Sequence, residues 1–563
     1  MIETFDVCVI GSGAGGGPVA LTVAEAGFSV VVLEKGPWFK EGDFFKDDLA
    51  SSYRSVFTPN LKDEPHVIEE SSGDEWSSAS SGESGKSFWN GNCVGGSSNF
   101  MSGFFHRLKP YDFTQASSFA PIPGANIVDW PISYDDLEPY YAKVEKEVGI
   151  SGRVVDHPQA EPRSTKNFPY PPTVEHPISK QFDDACQALD LHAIPVARAI
   201  LPYSDQNRKA CSYSGFCGGY GCASGAKGSS RAALLDKAVA TGRCTIRPHA
   251  KVFHLESDET GKVTVAKYYN SLKEEQQIRA RIFVVACQAI ETSRLLLLST
   301  GPRHPKGIGN RFDQVGKNLL FSTFAFGSGL FPFEHLSEKE AQDLKRQGPF
   351  VNRSLQDWYI LKDVETGEAK KGGTIDFLFA HPDPIATANA VKWGPEGLVW
   401  GKALQKRLHA VFTKSRRFVF EVFGDWLPND DCFVSLDPLV KDAWGLPVAK
   451  VRVGNHPHAW EIAGFLARRA EEVLTQMGAI GVSSSVNVYP PTNLQAGGCR
   501  FGKDPSTSVL NADCRVHDAE NLFVSDGSFM PTGGSVPYTW TIYANSFRVA
   551  DKVVDQLREI KSS

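Results

Sequence analysis

The feature that most constrains this chain is a glycine-rich turn that begins at residue 11, between a strand and a helix. Residues 5–10 (FDVCVI) predict a buried strand, and residues 11–16 (GSGAGG) follow it at once. Residues 19–26 have the spacing of a helix, residues 28–33 (FSVVVL) predict a second strand, and Glu34 ends that strand. Strand, GxGxxG, helix, strand and acid in this order form the βαβ unit that binds the pyrophosphate of a dinucleotide.

Each residue of the turn has a physical role in that unit. Gly11 permits the tight turn, Gly13 lets the backbone approach the pyrophosphate, and Gly16 lets the helix pack closely on the strand. Ala14 lies with them at the start of the helix, where unpaired N–H groups attract an anion. Glu34 lies 18 residues after Gly16 and is placed to hydrogen-bond ribose hydroxyls. We predict a bound dinucleotide, and the position near the N-terminus favours FAD over NAD.

Size and charge exclude several classes of protein. The 563 residues exceed a single core, which stops growing near roughly 250–300 residues. The net charge of −6 argues against nucleic acid or an anionic membrane as the main partner. No run reaches the roughly 18–20 apolar residues of a membrane span, so we expect no membrane insertion. No signal peptide precedes the first strand, so we expect a cytoplasmic location, with export beside a partner subunit to the periplasm as the alternative.

Composition and periodicity outline the rest of the chain. Residues 63–92 are rich in Ser, Glu and Gly, which predicts an exposed lid or flexible loop. Alternating apolar residues at 374–379 and 417–423 predict a second sheet. Residues 458–477 predict a long amphipathic helix, and residues 539–557 predict a closing helix.

Several ordered motifs make the chain similar to a known family. They are GSGAGGGPVA with VVVLEKG, then CVGGSSNFM, FVVACQAIETSRLLLLS, VGKNLL, LDPLVKDAWGLPV and GGCRFGKDPSTSVLNADCRVHDAENLFVSDGSFMPT. In this order the chain resembles the glucose–methanol–choline (GMC) oxidoreductases, which are FAD-dependent alcohol oxidases and dehydrogenases. The final motif is most similar to the flavoprotein subunits of bacterial gluconate, fructose and glucose dehydrogenases.

The resemblance implies a combined α/β and α+β fold in two parts. A discontinuous Rossmann-like FAD-binding domain would be joined by a substrate-binding domain built on a mainly antiparallel sheet. The FAD-binding domain would take residues 1–36, 93–108, 205–320 and 495–563, and the substrate-binding domain would take residues 109–204 and 321–494.

The resemblance also implies cofactor contacts outside the first motif. Gly95 and Gly96 would lie near the isoalloxazine and pyrophosphate, and the backbone of Val252 would bond the adenine. Asp526 and Gly527 would touch the ribityl–pyrophosphate region.

Two further positions bear on the flavin. The helix that begins near Thr539 would aim its positive end at the flavin and stabilise its anionic reduced form. Phe100 stands where some relatives carry the histidine that attaches FAD, so we predict non-covalent FAD.

Two positions depart from the family pattern. Members of the family oxidise an alcohol by hydride transfer to flavin N5, and a histidine takes the hydroxyl proton. That histidine position falls on Leu494, and a second position, usually His or Asn, falls on Pro537. Neither side chain accepts a proton, so the resemblance predicts the cofactor but leaves the base unassigned.

Three explanations remain open. Asn493, Gln495 and Tyr538 could bind the substrate, with Tyr538 or a histidine brought in from elsewhere (His106, His456 or His458) as the base. A second explanation is an activated substrate that needs no strong base. A third is a flavoprotein that has lost alcohol oxidation and serves as a lyase-like or assembly subunit. Our main prediction is oxidation of the CH–OH group of a sugar, polyol or glycoside.

A cysteine cluster bears on electron transfer. Cys211, Cys217 and Cys222 have the spacing C-x5-C-x4-C, which is compatible with an iron–sulfur cluster and also with free thiols. Dehydrogenases that the chain resembles carry such a cluster and pass electrons to a cytochrome subunit. We therefore favour a dehydrogenase over an oxidase, with a cytochrome or a small chaperone-like subunit as partner.

Overall fold

The computed structural model describes residues 2–44, 57–72, 75–89, 91–205, 207–346, 351–362, 367–379, 383–394, 397–487, 489–491 and 493–562. The α-helices in these ranges are α1 (Gly16–Glu25), α2 (Ser81–Ser84), α3 (Pro110–Phe113), α4 (Gln115–Ser118), α5 (Tyr134–Val144), α6 (Ile178–Ala188), α7 (Asp236–Ala240), α8 (Ala289–Leu298), α9 (Glu338–Lys345), α10 (Pro384–Val391), α11 (Gly401–Thr413), α12 (Pro457–Gln476) and α13 (Thr539–Ser562).

The strands in the same ranges belong to several sheets. They are β1 (Glu3–Ile10), β2 (Val30–Leu33), β3 (Val67–Ser72), β4 (Glu75–Ser80), β5 (Phe104–Phe105), β6 (Ile194–Pro195), β7 (Ala197–Arg198), β8 (Cys244–Arg247), β9 (Lys251–Ser257), β10 (Val263–Tyr269), β11 (Glu275–Val285), β12 (Leu319–Leu320), β13 (Ser322–Pro332), β14 (Val351–Leu355), β15 (Ile360–Lys362), β16 (Ala369–Lys371), β17 (Gly373–Phe379), β18 (Trp393–Gly394), β19 (Gly397–Leu398), β20 (Ser415–Asp425), β21 (Phe433–Lys441), β22 (Pro447–Val453), β23 (Ile480–Asn487), β24 (Ala496–Gly497) and β25 (Leu522–Val524).

The first large sheet is parallel at its centre. Strands β8, β2, β1, β11 and β25 run parallel, and β10 and β9 continue the sheet antiparallel from β11. The apolar run in β1 is fully buried because helices cover a parallel sheet on both faces. Helix α1 packs against α13, the last helix of the chain. The two ends of the chain are thus joined in one core, as the predicted Rossmann-like part requires.

The second large sheet is antiparallel, in the strand order β23, β13, β20, β17, β14, β6. In β20 the alternate residues Phe418, Phe420 and Val422 are buried and face α12, which covers one side of the sheet. Each fully buried side chain of this kind contributes about 1.5–3 kcal/mol. The opposite side of the sheet is left for the site described below. The prediction of a substrate part on an antiparallel sheet is confirmed.

The segment predicted as a lid is more regular than expected. Strands β3 and β4 form a hairpin within residues 63–92, and β3 pairs in parallel with β22 in a four-stranded sheet. Val67 and Ile68 are buried there. The expectation of a flexible loop is therefore wrong for this hairpin, because pairing with a distant strand supplies order that the local composition does not show.

Two predicted helices match the structure closely. Helix α12 covers the predicted 458–477 except for the last residue, and α13 begins at Thr539 as predicted and continues to Ser562. None of the helices in the described ranges combines the length and the apolarity that crossing a bilayer would require.

Candidate functional site: a strand-edge cavity

Four parallel strands of the first sheet end side by side. The pairing places Ile10 beside Leu33 and Val285, and Val285 beside Val524. The loops that follow these residues therefore meet at one edge of the sheet. In open α/β sheets ligands bind in the crevice outside the carboxyl ends of the strands.

A cavity of about 780 Å³ occupies that edge. Its volume lies in the range of roughly 300–1,000 Å³ that is typical of ligand and cofactor sites. One wall is formed by the strand-end loops, and the opposite wall by Phe324, Glu421 and Phe423 of the antiparallel sheet. Phe324 and Phe423 are register partners, and Glu421 lies two residues from Phe423 on the same face. The cavity therefore connects the two halves of the molecule.

The glycines of the first motif have two different roles, packing of the protein and space for a ligand. A Cβ on Gly11 would lie 2.2 Å from the carbonyl oxygen of Ala286, and a Cβ on Gly16 would lie 2.1 Å from the carbonyl oxygen of Gly11. These two glycines are needed for the protein's own packing. A Cβ on Gly13 would come no closer than 4.0 Å to another protein atom. Gly13 and Ala14 line the cavity, so the absent side chain of Gly13 leaves room for a ligand.

Glu34 is held in position at the cavity wall. The Ser12 hydroxyl donates to its carboxylate at 2.5 Å, and the Gly36 N–H donates to the other oxygen at 3.0 Å. Burial raises the pKa of Glu34, and these hydrogen bonds oppose the effect. The carboxylate retains lone pairs toward the cavity, where Glu34 is a lining residue. This arrangement fits the ribose hydroxyls of a nucleotide.

The side chain of Asp526 accepts hydrogen bonds from neighbouring protein groups. Its carboxylate accepts hydrogen bonds from the Gln288 N–H and the Thr292 hydroxyl at one oxygen, and from the N–H and hydroxyl of Ser528 at the other. Burial raises the pKa of Asp526. Because its oxygens are engaged, contacts of Asp526 and the adjacent lining residue Gly527 with a cofactor would come from the backbone.

Only some of the other predicted cofactor residues line the cavity. Gly96, Val252 and Thr539 line the cavity, whereas Gly16 and Gly95 are not among its lining residues. Gly95 has φ +94° and donates its N–H to the Ser12 hydroxyl, so it shapes the loop from behind. Thr539 is the first residue of α13, and the positive end of that helix faces the cavity.

The lining of the cavity fits FAD. A glycine cradle, a fixed carboxylate and a helix N-terminus occur together, and these are the groups that a dinucleotide requires. The ring of Phe100 lies 4.5 Å from that of Phe57 and lines the cavity. Phe100 offers no nitrogen for a bond to the flavin.

The predicted substrate residues lie together. Asn493, Leu494, Gln495, Pro537 and Tyr538 all line the same cavity. The Gln495 amide donates to the carbonyl oxygen of Phe88 at 2.9 Å, and the Tyr538 hydroxyl donates to the carbonyl oxygen of Leu494. Burial, with the nearby Asp425 carboxylate, raises the pKa of Tyr538 well above its ordinary value. Tyr538 is therefore a hydrogen-bond donor here and a poor proton acceptor.

Sequence reasoning missed two carboxylates that line the cavity. Asp383 lies just before α10 and Glu421 lies in β20, and both line the cavity. The Tyr220 hydroxyl donates to Asp383. No local motif marks the two carboxylates. Asp383, Glu421 and Tyr220 come from three chain segments that only the tertiary fold brings together.

The three histidines considered as substitute bases lie elsewhere. His106 is buried and hydrogen-bonds Asp376 at 3.1 Å, and Asp376 is the register partner of Glu421. His456 caps the start of α12 and contacts the carbonyl oxygen of Pro123. As far as the described residues define the cavity, neither these two nor His458 lines it.

The three clustered cysteines share a second, much smaller cavity of about 40 Å³. Since one water needs roughly 10–15 Å³ of such space, the cavity is only a few waters in size. Lys227 also lines this small cavity, and its ammonium donates to the backbone carbonyls of Asn99, Cys217 and Tyr220. Cys211, Cys217 and Cys222 do come together, but the arrangement does not support the iron–sulfur cluster that their spacing left open beside free thiols.

A second polar cluster contains two histidines and a carboxylate. Ligand atoms of His157, His192 and Asp357 lie within 4.8 Å of one another. However, the backbone N–H of Gln159 donates to Nδ1 of His157 at 3.0 Å, so the neutral ring carries its proton on Nε2. That nitrogen faces Asp357 at 3.8 Å and has no lone pair for a metal.

A dinucleotide cradle that opens against an antiparallel substrate sheet defines a two-part FAD-dependent oxidoreductase. Family models described as GMC oxidoreductase match residues 75–322 and 428–546, and one described as FAD binding domain matches residues 6–42. The chain belongs to the GMC oxidoreductase family, as its motifs predicted.

Curated relatives match over nearly the whole chain. The 2-methyl-1,2-propanediol dehydrogenase of Mycolicibacterium austroafricanum is 29% identical over 99% of this chain and 96% of its own length. The paromamine 6'-oxidase of Streptomyces fradiae is 28% identical over 99% and 92%. The fructose dehydrogenase large subunit of Gluconobacter japonicus is 27% identical over 98% of each.

Solved structures share the fold at lower identity. A variant of Aspergillus oryzae formate oxidase superimposes with a TM-score of 0.65 at 15% identity, covering 99% of each chain. Pyridoxine 4-oxidase from Mesorbium loti gives a TM-score of 0.60 at 16% identity, covering 97% of this chain and 99% of that one.

Proposed function

We propose that this protein oxidises the CH–OH group of a sugar, polyol or glycoside, with non-covalent FAD. When bound, FAD supplies a hydride acceptor at N5. The observation that carries the proposal is the single cavity that runs from the glycine cradle to Phe324, Glu421 and Phe423. We also propose that the domain division expected from the sequence follows the two large sheets.

The cofactor-holding residues act in two groups. Gly13, Ala14, Glu34, Gly96, Val252, Gly527 and Thr539 line the cavity and would contact FAD, with Asp526 contributing its backbone. Gly16 and Gly95 act indirectly, because they allow the loops to pack in this shape, while Gly11 lines the cavity and also packs against Ala286.

Substrate binding falls to the polar groups on the opposite wall. Asn493 and Gln495 would orient hydroxyl groups, while Asp383 and Glu421 would accept hydrogen bonds from hydroxyls or pair with an ammonium group. The names of the relatives support this chemistry, since a diol, a hexose and an amino sugar appear among their substrates.

We assign proton acceptance to Glu421. Tyr538 donates its hydrogen to Leu494 and is a poor proton acceptor, whereas Glu421 supplies a carboxylate at the cavity wall. Glu421 lies on a strand that the sheet holds rigidly, and its register partner Asp376 is hydrogen-bonded to His106. Tyr538 would then position the loop at residues 493–495, and Glu421 would remove the hydroxyl proton.

Reoxidation is proposed to involve a protein partner. One relative is named as the large subunit of fructose dehydrogenase, and another is named as the flavoprotein of gluconate 2-dehydrogenase. These names imply companion subunits in those enzymes and favour a dehydrogenase here, with a cytochrome or small chaperone-like subunit as the partner. The cysteine cavity adds no electron-transfer step to this proposal.

Leu494 and Pro537 favour a second candidate, a flavoprotein that has lost alcohol oxidation. Anaerobic mixing of the FAD-loaded protein with sugars, polyols, amino glycosides and hydrated aldehydes tests both. Bleaching of the flavin's visible band by an unactivated alcohol supports dehydrogenation. Bleaching only by hydrated aldehydes would indicate an activated substrate that needs no strong base. Persistent absorption across the whole panel would support the second candidate.

Two matched substitutions test the assignment of the base. Glu421→Gln keeps the shape of the side chain but removes its basicity, so we expect the rate of flavin reduction to fall by about 10²–10⁴-fold. Asp383→Asn is the control and should mainly raise the substrate concentration needed for half-maximal reduction. If the two variants exchange these effects, the acceptor is Asp383. If neither lowers the reduction rate, the proton leaves by another route.

A further inference from the structure

Residues 384–414, here called the arm, leave the second sheet between β17 and β20. The arm contains α10, the short strands β18 and β19, and α11. Neither helix has a buried residue. The arm therefore contributes almost nothing to the protein's core, and its side chains need another explanation.

Large apolar side chains are concentrated on the arm. Trp393 is 60% exposed, Leu398 is 56%, Trp400 is 78% and Phe412 is 45%. A single exposed apolar side chain is ordinary, but several on one short segment mark a contact surface. The two tryptophans are the most exposed of those that the structure describes.

The charge of the arm is opposite to that of the whole chain. Its five basic residues are Lys392, Lys402, Lys406, Arg407 and Lys414, against one acidic residue, Glu396. The chain as a whole carries a net charge of −6. The overall charge argued against an anionic partner, yet the arm carries a local surplus of positive charge that would attract one.

Helix α11 separates its two kinds of side chain. Leu404, Leu408, Val411 and Phe412 follow the i, i+4, i+7, i+8 spacing of one helical face. Lys402 and Lys406 lie on the opposite face, and Arg407 lies at the boundary between them. The first two leucines are half-buried and the last two apolar residues are exposed, so the stripe runs outward from the protein.

We propose that the arm docks on the surface of an anionic lipid bilayer. Tryptophan rings prefer the interface between water and hydrocarbon, and lysine and arginine are attracted to anionic headgroups. An amphipathic helix with these residues lies in the plane of the interface and needs no membrane-spanning segment. The proposal is independent of the catalytic assignment above.

The docking surface adjoins one wall of the large cavity. Asp383 directly precedes the arm, lines the cavity and accepts a hydrogen bond from Tyr220. A docked protein would therefore hold the substrate wall of its cavity toward the bilayer.

Vesicle co-sedimentation of the full-length, FAD-loaded protein tests the proposal. We expect binding to phosphatidylglycerol vesicles at least tenfold tighter than to phosphatidylcholine vesicles, and weakening with salt. The variant Lys402→Gln/Lys406→Gln/Arg407→Gln should bind about 10²-fold more weakly, since each cationic residue near such a surface contributes about fivefold. Trp393→Ala/Trp400→Ala should lower binding at least tenfold, at every salt concentration.

Matched controls remove equally exposed groups elsewhere. Leu272→Ala and Leu439→Ala remove side chains that are 74% and 86% exposed, and Lys306→Gln removes an exposed cation. These should bind vesicles as the unchanged protein does. Flavin content and thermal midpoint confirm that every variant is folded.

Three results would overturn the proposal. One is equal binding to the two vesicle types, or no binding to either. Another is undiminished binding by both arm variants. The third is a dimer in native mass spectrometry that the tryptophan variant converts to a monomer, without lipid binding, which would assign the arm to a contact between copies of this chain.

Discussion

The hydroxyl of Tyr538 donates its hydrogen to the backbone carbonyl oxygen of Leu494. The motifs predicted that Leu494 takes the position of the family's histidine, and its φ of +58° is unusual for a residue with a branched side chain. The hydrogen bond fixes that strained residue at the cavity wall. Tyr538 thereby holds the loop that contains Leu494, and its hydroxyl hydrogen is engaged by that carbonyl oxygen.

Tyr538→Phe should reduce activity only modestly. It removes one hydrogen bond worth about 0.5–1.5 kcal/mol, so kcat/KM should fall by about tenfold or less with an unchanged pH profile. Stopped-flow flavin reduction provides the measurement. Tyr543→Phe is the control, because Tyr543 is also buried and donates to a backbone carbonyl, that of Gly228, outside the cavity lining. A loss of more than about 10²-fold in the Tyr538 variant would identify that residue as the base.

Substitutions in the glycine turn can distinguish an effect on cofactor binding from an effect on folding. Gly13→Ala meets no protein atom within 4.0 Å, so the apoprotein should keep its thermal midpoint while its affinity for FAD falls at least tenfold. Fluorescence titration with FAD measures this. Gly11→Ala and Gly16→Ala would clash with backbone oxygens and should destabilise the apoprotein itself. Unchanged FAD affinity in the Gly13 variant would mean that no phosphate approaches that residue.

A buried ion cluster behind the substrate wall should be sensitive to loss of its cation. Lys371 bridges the carboxylates of Asp112 and Asp425, and the Tyr359 hydroxyl donates to Asp112 at 2.6 Å. Burial lowers the pKa of Lys371, but the two carboxylates outweigh that effect and raise it. Lys371→Met leaves two buried carboxylates uncompensated, so the free energy of unfolding should fall by about 3–5 kcal/mol.

Urea denaturation measures the effect at Lys371. The exposed pair between Lys306 and Asp313 supplies the comparison, and Lys306→Met should cost less than about 1 kcal/mol. Similar small losses in both variants would show that the buried cluster relaxes or admits water.

Two buried histidines should give pH effects of opposite sign. Burial lowers the pKa of His176 to about 4. Its unfolded form binds a proton near the ordinary value of about 6.5, so stability should fall as the pH drops from 6.5 toward 4. His304 has a raised pKa because its Nδ1 faces the Asp518 carboxylate at 3.5 Å, so its contribution is present below the ordinary value and is lost as the pH rises through the folded pKa.

Urea midpoints at pH 5 and pH 8 separate the two histidines. His176→Asn keeps an acceptor for the Ile178 N–H and should flatten the loss of stability toward pH 5. His304→Asn should lower stability more at pH 5 than at pH 8. The opposite pattern in either variant would contradict the assigned direction of its pKa.

Elements whose conformation depends on neighbouring residues in the chain were predictable. The turn at Gly11–Gly16, helix α12 and helix α13 follow from glycine geometry and helical periodicity. The hairpin of β3 and β4 was not, because its Ser- and Glu-rich sequence gains order only by pairing with β22, nearly four hundred residues away. The cysteine spacing was equally uninformative, since it gives no measure of the space between the thiols.

By itself, the sequence determined the dinucleotide cradle and the family, because these depend on residue identity within short motifs. It also predicted that Leu494 and Pro537 replace the usual catalytic residues. Only the tertiary structure decided that Tyr538 points its hydrogen at Leu494 and that Glu421 faces the cavity. Those relationships join strands and loops that are distant in the chain. Their geometry is set by packing of the two sheets, which no local pattern records.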